Sequence, residues 1–335
     1  MGPKLANKWA VASVSLGKHS SHSLERKLQA AKDNHFSGIE LVFNDLAAHA
    51  SSHDHPLLES AKQIKELSQR LSLEILTLNP FKNFEGNRDT SLRERLTKAE
   101  EWFEVAVAVG TSIVQMPSQF LDGTTGDEAV IVPELQVLAD AAAAHGLKIA
   151  YEAVAFAQHN ALWQDSLRIV QAVDRANFGL CLDSFHIHAR IWGDPSDPSG
   201  VLPNATENVA KSLEEFLQKC PKEKILYIQL SDASRLDPPI TNDSPLLEGL
   251  EVRDPRLAWS RTLRPFPLES PGYFPVVEIA KTWLLDYGWE GWVSLEGFLS
   301  ETEKLSNGPE VMAQRAGESI AKLNAQLSIM HSSYA

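Results

Sequence analysis

The sequence predicts an α/β chain folded as one (β/α)8 TIM barrel, and three observations predict it. Short apolar runs alternate with longer amphipathic runs from about Trp9 to Leu327, eight times in all. The repeat is ~30 residues, the size of a strand–helix unit whose strands pair in parallel beneath outer helices, and eight such units make a closed barrel. The alternative, an open doubly wound sheet, needs a glycine-rich turn after the first strand. The chain has Ser13-Val14-Ser15-Leu16-Gly17-Lys18-His19 there instead. The proline-rich stretches lie inside the alternation, so a single domain over 1–335 is expected, with the barrel at roughly 9–327.

The elements follow in order. Trp9 to Val14 reads as the first strand, and Ser23 to Asn34 as a helix with Ser23 as its N-cap. Gly38 to Phe43 is a strand, Pro56 to Leu71 a helix, and Leu73 to Leu78 a strand stopped by Asn79-Pro80. Thr90 to Val109 is a helix ended by Gly110, and Ser112 to Met116 a strand closed by Pro117. Val132 to His145 is an alanine-rich helix with Gly146 just past its end. Leu147 to Val154, Phe178 to Asp183, Lys224 to Leu230 and Gly291 to Leu295 are the last four strands. Their helices are Ala161 to Asp174, Glu207 to Gln218, Val276 to Asp286 and Glu301 to Leu327. Two stretches read as loops: the segment after Asp183 with Pro195, Pro198 and Pro203, and a long proline-rich segment from Leu230 to about Gly272.

Composition narrows the function. With 31 Lys+Arg against 44 Asp+Glu, the 335-residue chain carries a formal charge of −13 and has no basic stripe, which argues against nucleic acid as partner. A small anionic substrate remains compatible, because a few local arginines can outweigh the global sign. Cys181 and Cys220 are too few for a disulfide framework. Met1 to Leu16 has no signal-like apolar stretch, and no run reaches the ~18 apolar residues of a membrane span, so a cytoplasmic protein with reduced thiols is expected. Assembly into a homo-oligomer is compatible with this composition.

Strands buried on both faces should read as nearly continuous apolar runs. Four strands break that rule at their C-terminal ends. Ile149 and Tyr151 alternate with Ala150 and Glu152; Leu180 and Leu182 with Cys181 and Asp183. Leu226, Ile228 and Leu230 alternate with Tyr227 and Gln229, and Val293 and Leu295 with Ser294 and Glu296. The period of two sends the apolar set toward the helices and the polar set into the barrel. Glu152, Asp183, Gln229 and Glu296 then sit at the end of the barrel that carries active sites. Three carboxylates converging there would repel and desolvate one another at a cost of several kcal/mol per charge. One divalent cation removes that cost, and ligation by oxygen alone favours Mg2+, Mn2+ or a similar ion over a structural zinc. His186, three residues past Asp183, falls at the cavity mouth as a ligand, a partner of a ligand or a proton carrier, and His188 reads equally well as a loop residue.

On these residues the chain resembles the xylose-isomerase-like TIM-barrel superfamily, of the sugar phosphate isomerase/epimerase type. The carrying segments are Gly38-Ile39-Glu40-Leu41, Ile149-Ala150-Tyr151-Glu152, Cys181-Leu182-Asp183-Ser184-Phe185-His186, Ile228-Gln229-Leu230-Ser231-Asp232 and Val293-Ser294-Leu295-Glu296. The resemblance spans nearly the whole chain. Within the superfamily it points to the 3-dehydroshikimate dehydratases of fungal quinate catabolism: Gln229 stands where many isomerase and endonuclease relatives carry His, Asp183 to His186 fits, and so does the loop Arg253 to Pro275. Arg264-Pro265-Phe266-Pro267-Leu268-Glu269-Ser270-Pro271-Gly272 departs from the usual Arg-x-x-Pro-Gly-Glu-Gly, because Glu269 precedes the Pro-Gly. Some bacterial dehydratases carry a further C-terminal domain, and this chain ends soon after the eighth helix.

The resemblance implies a metal-dependent hydro-lyase that converts 3-dehydroshikimate to protocatechuate without nicotinamide or flavin. Such chemistry removes a proton alpha to a ketone, and the metal stabilises the enolate. His186 is the first candidate for proton transfer and Glu152 the second. The substrate carboxylate needs a cation, with Arg264 first and Arg253 and Lys82 next. A sugar or hydroxypyruvate isomerase or epimerase is the alternative. An endonuclease IV-like enzyme is disfavoured by Gln229 and the negative charge, and a non-enzymatic binding barrel by the four candidate ligands.

Overall fold

A computed structural model describes residues 6–332 of the chain. Eight parallel strands close into a barrel: β1 (Trp9–Ala12), β2 (Gly38–Val42), β3 (Glu74–Asn79), β4 (Ile113–Pro117), β5 (Lys148–Glu152), β6 (Phe178–Asp183), β7 (Ile225–Leu230) and β9 (Val293–Leu295). Closure comes where Val293 pairs with Trp9 on one side and Ile228 on the other. The predicted barrel is therefore the observed one.

The outer layer is α1 (Leu24–Asp33), α2 (Phe43–Ser52), α3 (Leu57–Arg70), α4 (Leu92–Val109), α5 (Glu128–Ala144), α6 (Trp163–Val173), α8 (Ala205–Lys219), α10 (Val276–Lys281) and α11 (Pro309–Ser332). Ser23 caps α1 by accepting from the Arg26 amide, and Gly110 ends α4 with φ of 87°, a conformation only glycine adopts freely. The main core lies between sheet and helices and takes the outward strand set, including Ile149, Tyr151, Leu180, Leu182, Ile228, Leu230, Val293 and Leu295. A separate cluster of Ala10, Leu76, Ile113, Ala150, Cys181 and Tyr227 fills the base of the barrel. None of the described helices is long and apolar enough to cross a membrane, and both cysteines are free and buried.

Four departures matter for the site. α2 begins directly after β2, in a stretch to which the sequence assigns no element; no side chain caps it, so no sequence signal marks its start. α7 (Ser184–Ile191) occupies the supposed loop after β6, because Asp183 turns back and accepts the Phe185 amide at 2.8 Å. The long segment after β7 holds α9 (Pro255–Thr262) and a two-residue strand, β8 (Leu263–Arg264), which pairs antiparallel with β10 (Phe298–Leu299) over the barrel mouth. α5 starts four residues earlier than expected, at an Asp127 cap, and runs through Pro133.

The strict alternation expected in the seventh strand also fails at one point. Leu180 pairs with Ile225 and Cys181 with Tyr227, so Leu226 is an extra residue. Ile225 packs with the helix-side core, while Leu226 packs against the cluster inside the barrel. Tyr227 and Gln229 keep their inward direction.

Candidate active site

The C-terminal ends of β2, β3, β4 and β5, with Glu296 just beyond β9, open into a cavity of about 390 Å3. That size suits a small molecule. Glu152, His186, Arg264 and Glu296 line it, with Lys18, Asn79, Lys82, Gln115, Glu251, Ser260 and Arg261 around them. Asp183 and Gln229 pair across β6 and β7 beneath it.

Arg264 sits at the centre. Its guanidinium meets Asp183 Oδ2 on one side and Glu296 Oε2 at 2.9 Å on the other, and its Nε donates to Ser231 Oγ at 2.7 Å. The rings of Phe185 and Phe298 lie 4.7 and 5.6 Å from it. β8 and β10 hold it there, since Arg264 is paired with Phe298. The sequence reading gave this arginine to a substrate carboxylate; the structure commits every nitrogen of its fork to the protein. A buried cation between carboxylates stabilises each of them, and removing it would leave uncompensated charge.

The carboxylates show what the barrel does to charge. Burial raises the Glu152 carboxyl well above its usual range, and Asp183 and Glu296 push it further. Burial likewise raises Glu296 to about 8, against the pull of Arg264. Glu152 Oε2 is held by the Gln115 amide, whereas Glu152 Oε1 is buried without a partner. An orphaned carboxylate oxygen among other acids fits a cation. Among the described residues, donor atoms of Glu152, Asp183 and His186 lie within 4.8 Å of one another.

Gln229 is anchored by a residue the sequence reading did not select. Its Nε2 donates to both oxygens of Glu40, at 3.2 and 3.0 Å, and its Oε1 accepts from Cys181 Sγ at 3.3 Å. The carboxamide oxygen keeps one lone pair for an ion. Glu40 also accepts from Asn79 Nδ2 and the Tyr227 hydroxyl, and burial raises its pKa. The signal was present: Glu40 interrupts the apolar run Gly-Ile-Glu-Leu-Val as Glu152 and Asp183 interrupt theirs. Gln115 offered the same signal in β4.

His186 is buried and lowered to about 3, because desolvation outweighs the favourable field of Asp183. Its Nδ1 accepts the Ala155 amide at 3.1 Å, and its Nε2 lies 3.6 Å from Asp183 Oδ2. A neutral ring accepting at Nδ1 carries its proton on Nε2. The geometry thus makes His186 a donor toward the cluster, not the free base that its position in the sequence suggested. His188 is buried against the Phe274 ring and also pushed down by desolvation, to about 4.

The other expected cations separate. Lys82 reaches the cavity wall, 3.6 Å from Glu251, with burial lowering its pKa. Arg253 does not line the cavity; it donates to the Asn242 carbonyl at 2.7 Å on the outer side of its loop. Arg261, unselected from sequence, lines the cavity and grips Glu251 through two bonds of 2.6 and 2.9 Å. Glu269 pairs with Arg315 of α11 and accepts the Phe266 amide, a structural role consistent with its displaced position.

Comparison with known proteins places this geometry. The family model described as xylose isomerase-like TIM barrel matches residues 28–323. A Neurospora crassa protein named 3-dehydroshikimate dehydratase is 38% identical over 97% of this chain and 96% of its own length. A Pseudomonas aeruginosa protein of the same name is 32% identical over 86% of the chain, which spans 38% of that longer relative. Among solved structures, the IOLI protein with a bound zinc atom superposes with a TM-score of 0.69 at 21% identity, covering 95% of this chain and 98% of that one. The chain therefore belongs to the xylose isomerase-like TIM-barrel family and, within it, to the group that includes the Neurospora 3-dehydroshikimate dehydratase.

Proposed function

We propose that this chain, as one barrel domain, dehydrates 3-dehydroshikimate to protocatechuate with the help of one divalent metal ion. The carrying observation is the set Glu152, Asp183 and Glu296 gathered around Arg264 beneath a small-molecule cavity, in a chain aligned end to end with a dehydratase. The residues fit a hard divalent ion such as Mg2+ or Mn2+: Asp183, Glu296, Gln229 and Glu152 offer oxygens only, and Glu152 Oε1 has no other partner. When bound, such an ion supplies Lewis acidity for a ketone oxygen and the charge of the enolate.

The chain's own residues do the rest. Lys18, Lys82 and Arg261 give the cavity rim a positive character that draws in an anionic substrate despite the net charge. With such an ion held by Glu152, Asp183, Gln229 and Glu296, Arg264 would no longer be needed to balance their charge, and its guanidinium fork would be free for the substrate carboxylate. His186, oriented by the Ala155 amide, presents Nε2–H to an oxygen that gains charge or departs as water. Glu152, which lines the cavity, takes the proton alpha to the ketone. The overall change is loss of one water, and aromatisation makes it downhill. A cytoplasmic setting, where thiols stay reduced, suits the free Cys181 and Cys220.

The test is direct. Protein stripped with a chelator and reloaded with Mg2+ or Mn2+ is mixed with 3-dehydroshikimate, and protocatechuate is followed by its ultraviolet absorbance. Product that depends on metal supports the reading. Metal-replete protein that leaves 3-dehydroshikimate untouched but epimerises a ketose overturns it. Glu152→Gln separates that residue's two roles: retained metal without turnover makes it the proton acceptor, and lost metal makes it a ligand.

A further inference from the structure

Outside the barrel, a second group of metal-ligating side chains has no part in the cavity. Glu25 stands in the first turn of α1, His49 in the last turn of α2, and His53 caps the C-terminal end of that helix, four residues beyond His49. His49 Nε2 lies 3.2 Å and His53 Nε2 3.4 Å from Glu25 Oε1. The two imidazoles are 4.3 Å apart between centroids, and one donor atom from each of the three residues lies within 4.8 Å of the others. None of the three lines the cavity.

The rings are held in the orientation that ligation needs. His53 Nδ1 is 2.9 Å from the His49 carbonyl oxygen, which can only accept, so that nitrogen carries the proton and Nε2 faces Glu25 with a bare lone pair. His49 Nδ1 is 3.0 Å from the buried Ser60 hydroxyl of α3. Anchoring one imidazole nitrogen so that the other is free is how metal-binding histidines are fixed. Glu25 Oε2 is buried and has no hydrogen-bond partner. The His53 lone pair therefore confronts a carboxylate oxygen, and the Ser60 hydroxyl, able to donate or accept, lets His49 present Nε2 to the same point. A cation held between the three groups relieves that opposition.

We propose that Glu25, His49 and His53 form a second, peripheral metal site that binds a borderline divalent ion of the zinc class and clips α1 to α2. Two imidazoles and one carboxylate suit Zn2+, Co2+ or Ni2+ rather than the hard ions favoured by the oxygen-only cavity. A His pair at i and i+4 on one helix is a recurrent zinc-binding arrangement.

The test uses the full chain, stripped of metal, equilibrated with Zn2+, passed through a desalting column and analysed for zinc per chain. The expected result is a difference of one equivalent between the wild type and His53→Gln, a substitution at a side chain that is 42% exposed and tolerant of change. Glu25→Gln should behave the same way, and Glu152→Gln should keep this equivalent. Co2+ should give visible d–d bands that His53→Gln loses, and Zn2+ should raise the melting temperature of the wild type more than that of His53→Gln. Equal zinc content in the wild type, His53→Gln and Glu25→Gln would overturn the proposal. Because the readout is a difference, it stands or falls independently of whether the cavity dehydrates 3-dehydroshikimate.

Discussion

Two sets of buried carboxylates in this barrel show opposite solutions to one problem. At the mouth, Asp183 and Glu296 share Arg264, and Glu152, held by Gln115, lies close enough that their charges raise its pKa. In the wall, Asp232 and Glu85 are as deeply buried, but Asp232 is answered by the backbone and Glu85 through one oxygen, its Oε2 having no partner. Asp232 accepts the amides of Ala233 and Phe274 at 2.8 Å and that of Leu268 at 3.3 Å, which ties the end of β7 to the long loop. Glu85 accepts the Gln119 amide at 2.7 Å and the Tyr151 hydroxyl at 3.0 Å. Burial raises Asp232 to about 6 and Glu85 to about 7. The difference lies in the partners: backbone donors make a carboxylate a fastener, whereas neighbouring acids sharing one guanidinium leave charge for a ligand to neutralise.

The largest break should come from the mouth. Asp183→Asn should lower kcat by roughly 10³-fold, the scale of losing preorganised charge stabilisation, and should release metal. Metal analysis alongside the protocatechuate assay checks both. His186→Ala should lower kcat by roughly 10²–10⁴-fold, as for a positioned proton-transfer group, while metal content stays unchanged. A His186→Ala protein that has lost its metal would make the histidine a ligand.

Arg264→Ala should raise KM, and Arg264→Lys should not restore it, because lysine lacks the planar two-donor fork. The same variant sharpens the comparison through stability. In chelator the uncompensated pair of buried acids should cost about 3–5 kcal/mol, the scale of breaking a buried ion pair. Reloading with metal should recover much of that in a thermal melt. Equal losses with and without metal would show that no ion replaces the guanidinium.

The wall should respond in stability and not in chemistry. Asp232→Asn should cost about 1–3 kcal/mol in denaturant unfolding, since it weakens acceptance from several buried amides, with KM nearly unchanged. A last effect concerns pH. Glu85 is held near 7 in the folded chain and is near its ordinary value of 4.5 when unfolded. Between those values the folded state binds more protons, so stability falls as pH rises from about 4.5 to about 7. Glu85→Gln should flatten that part of the stability–pH curve, and an unchanged slope would remove Glu85 from it.

Much of the mouth was legible because a parallel strand tolerates few inward charges. Glu152, Asp183, Gln229 and Glu296 stood out as breaks in apolar runs, and the structure brings them to one end of the barrel. The same rule applied to β2 and β4 would have exposed Glu40 and Gln115, which hold Gln229 and Glu152 in place. The cations were harder to rank. Arg253 and Arg264 lie in the same loop, and only the pairing of β8 with β10 sends one inward and leaves the other outside. No local pattern encodes that choice.

The sequence by itself determined the barrel, its strand order, the inward direction of Glu152, Asp183, Gln229 and Glu296, and their gathering at one end of the barrel. These follow from period and burial, which are local properties. Only the tertiary structure decided what each buried acid meets. The Arg264 fork, the Ala155 amide on His186 and the meeting of α1 with α2 at Glu25, His49 and His53 each join segments remote in the chain. Hydrogen-bond partners across such distances depend on angstrom-level packing, which hydrophobic periodicity does not carry.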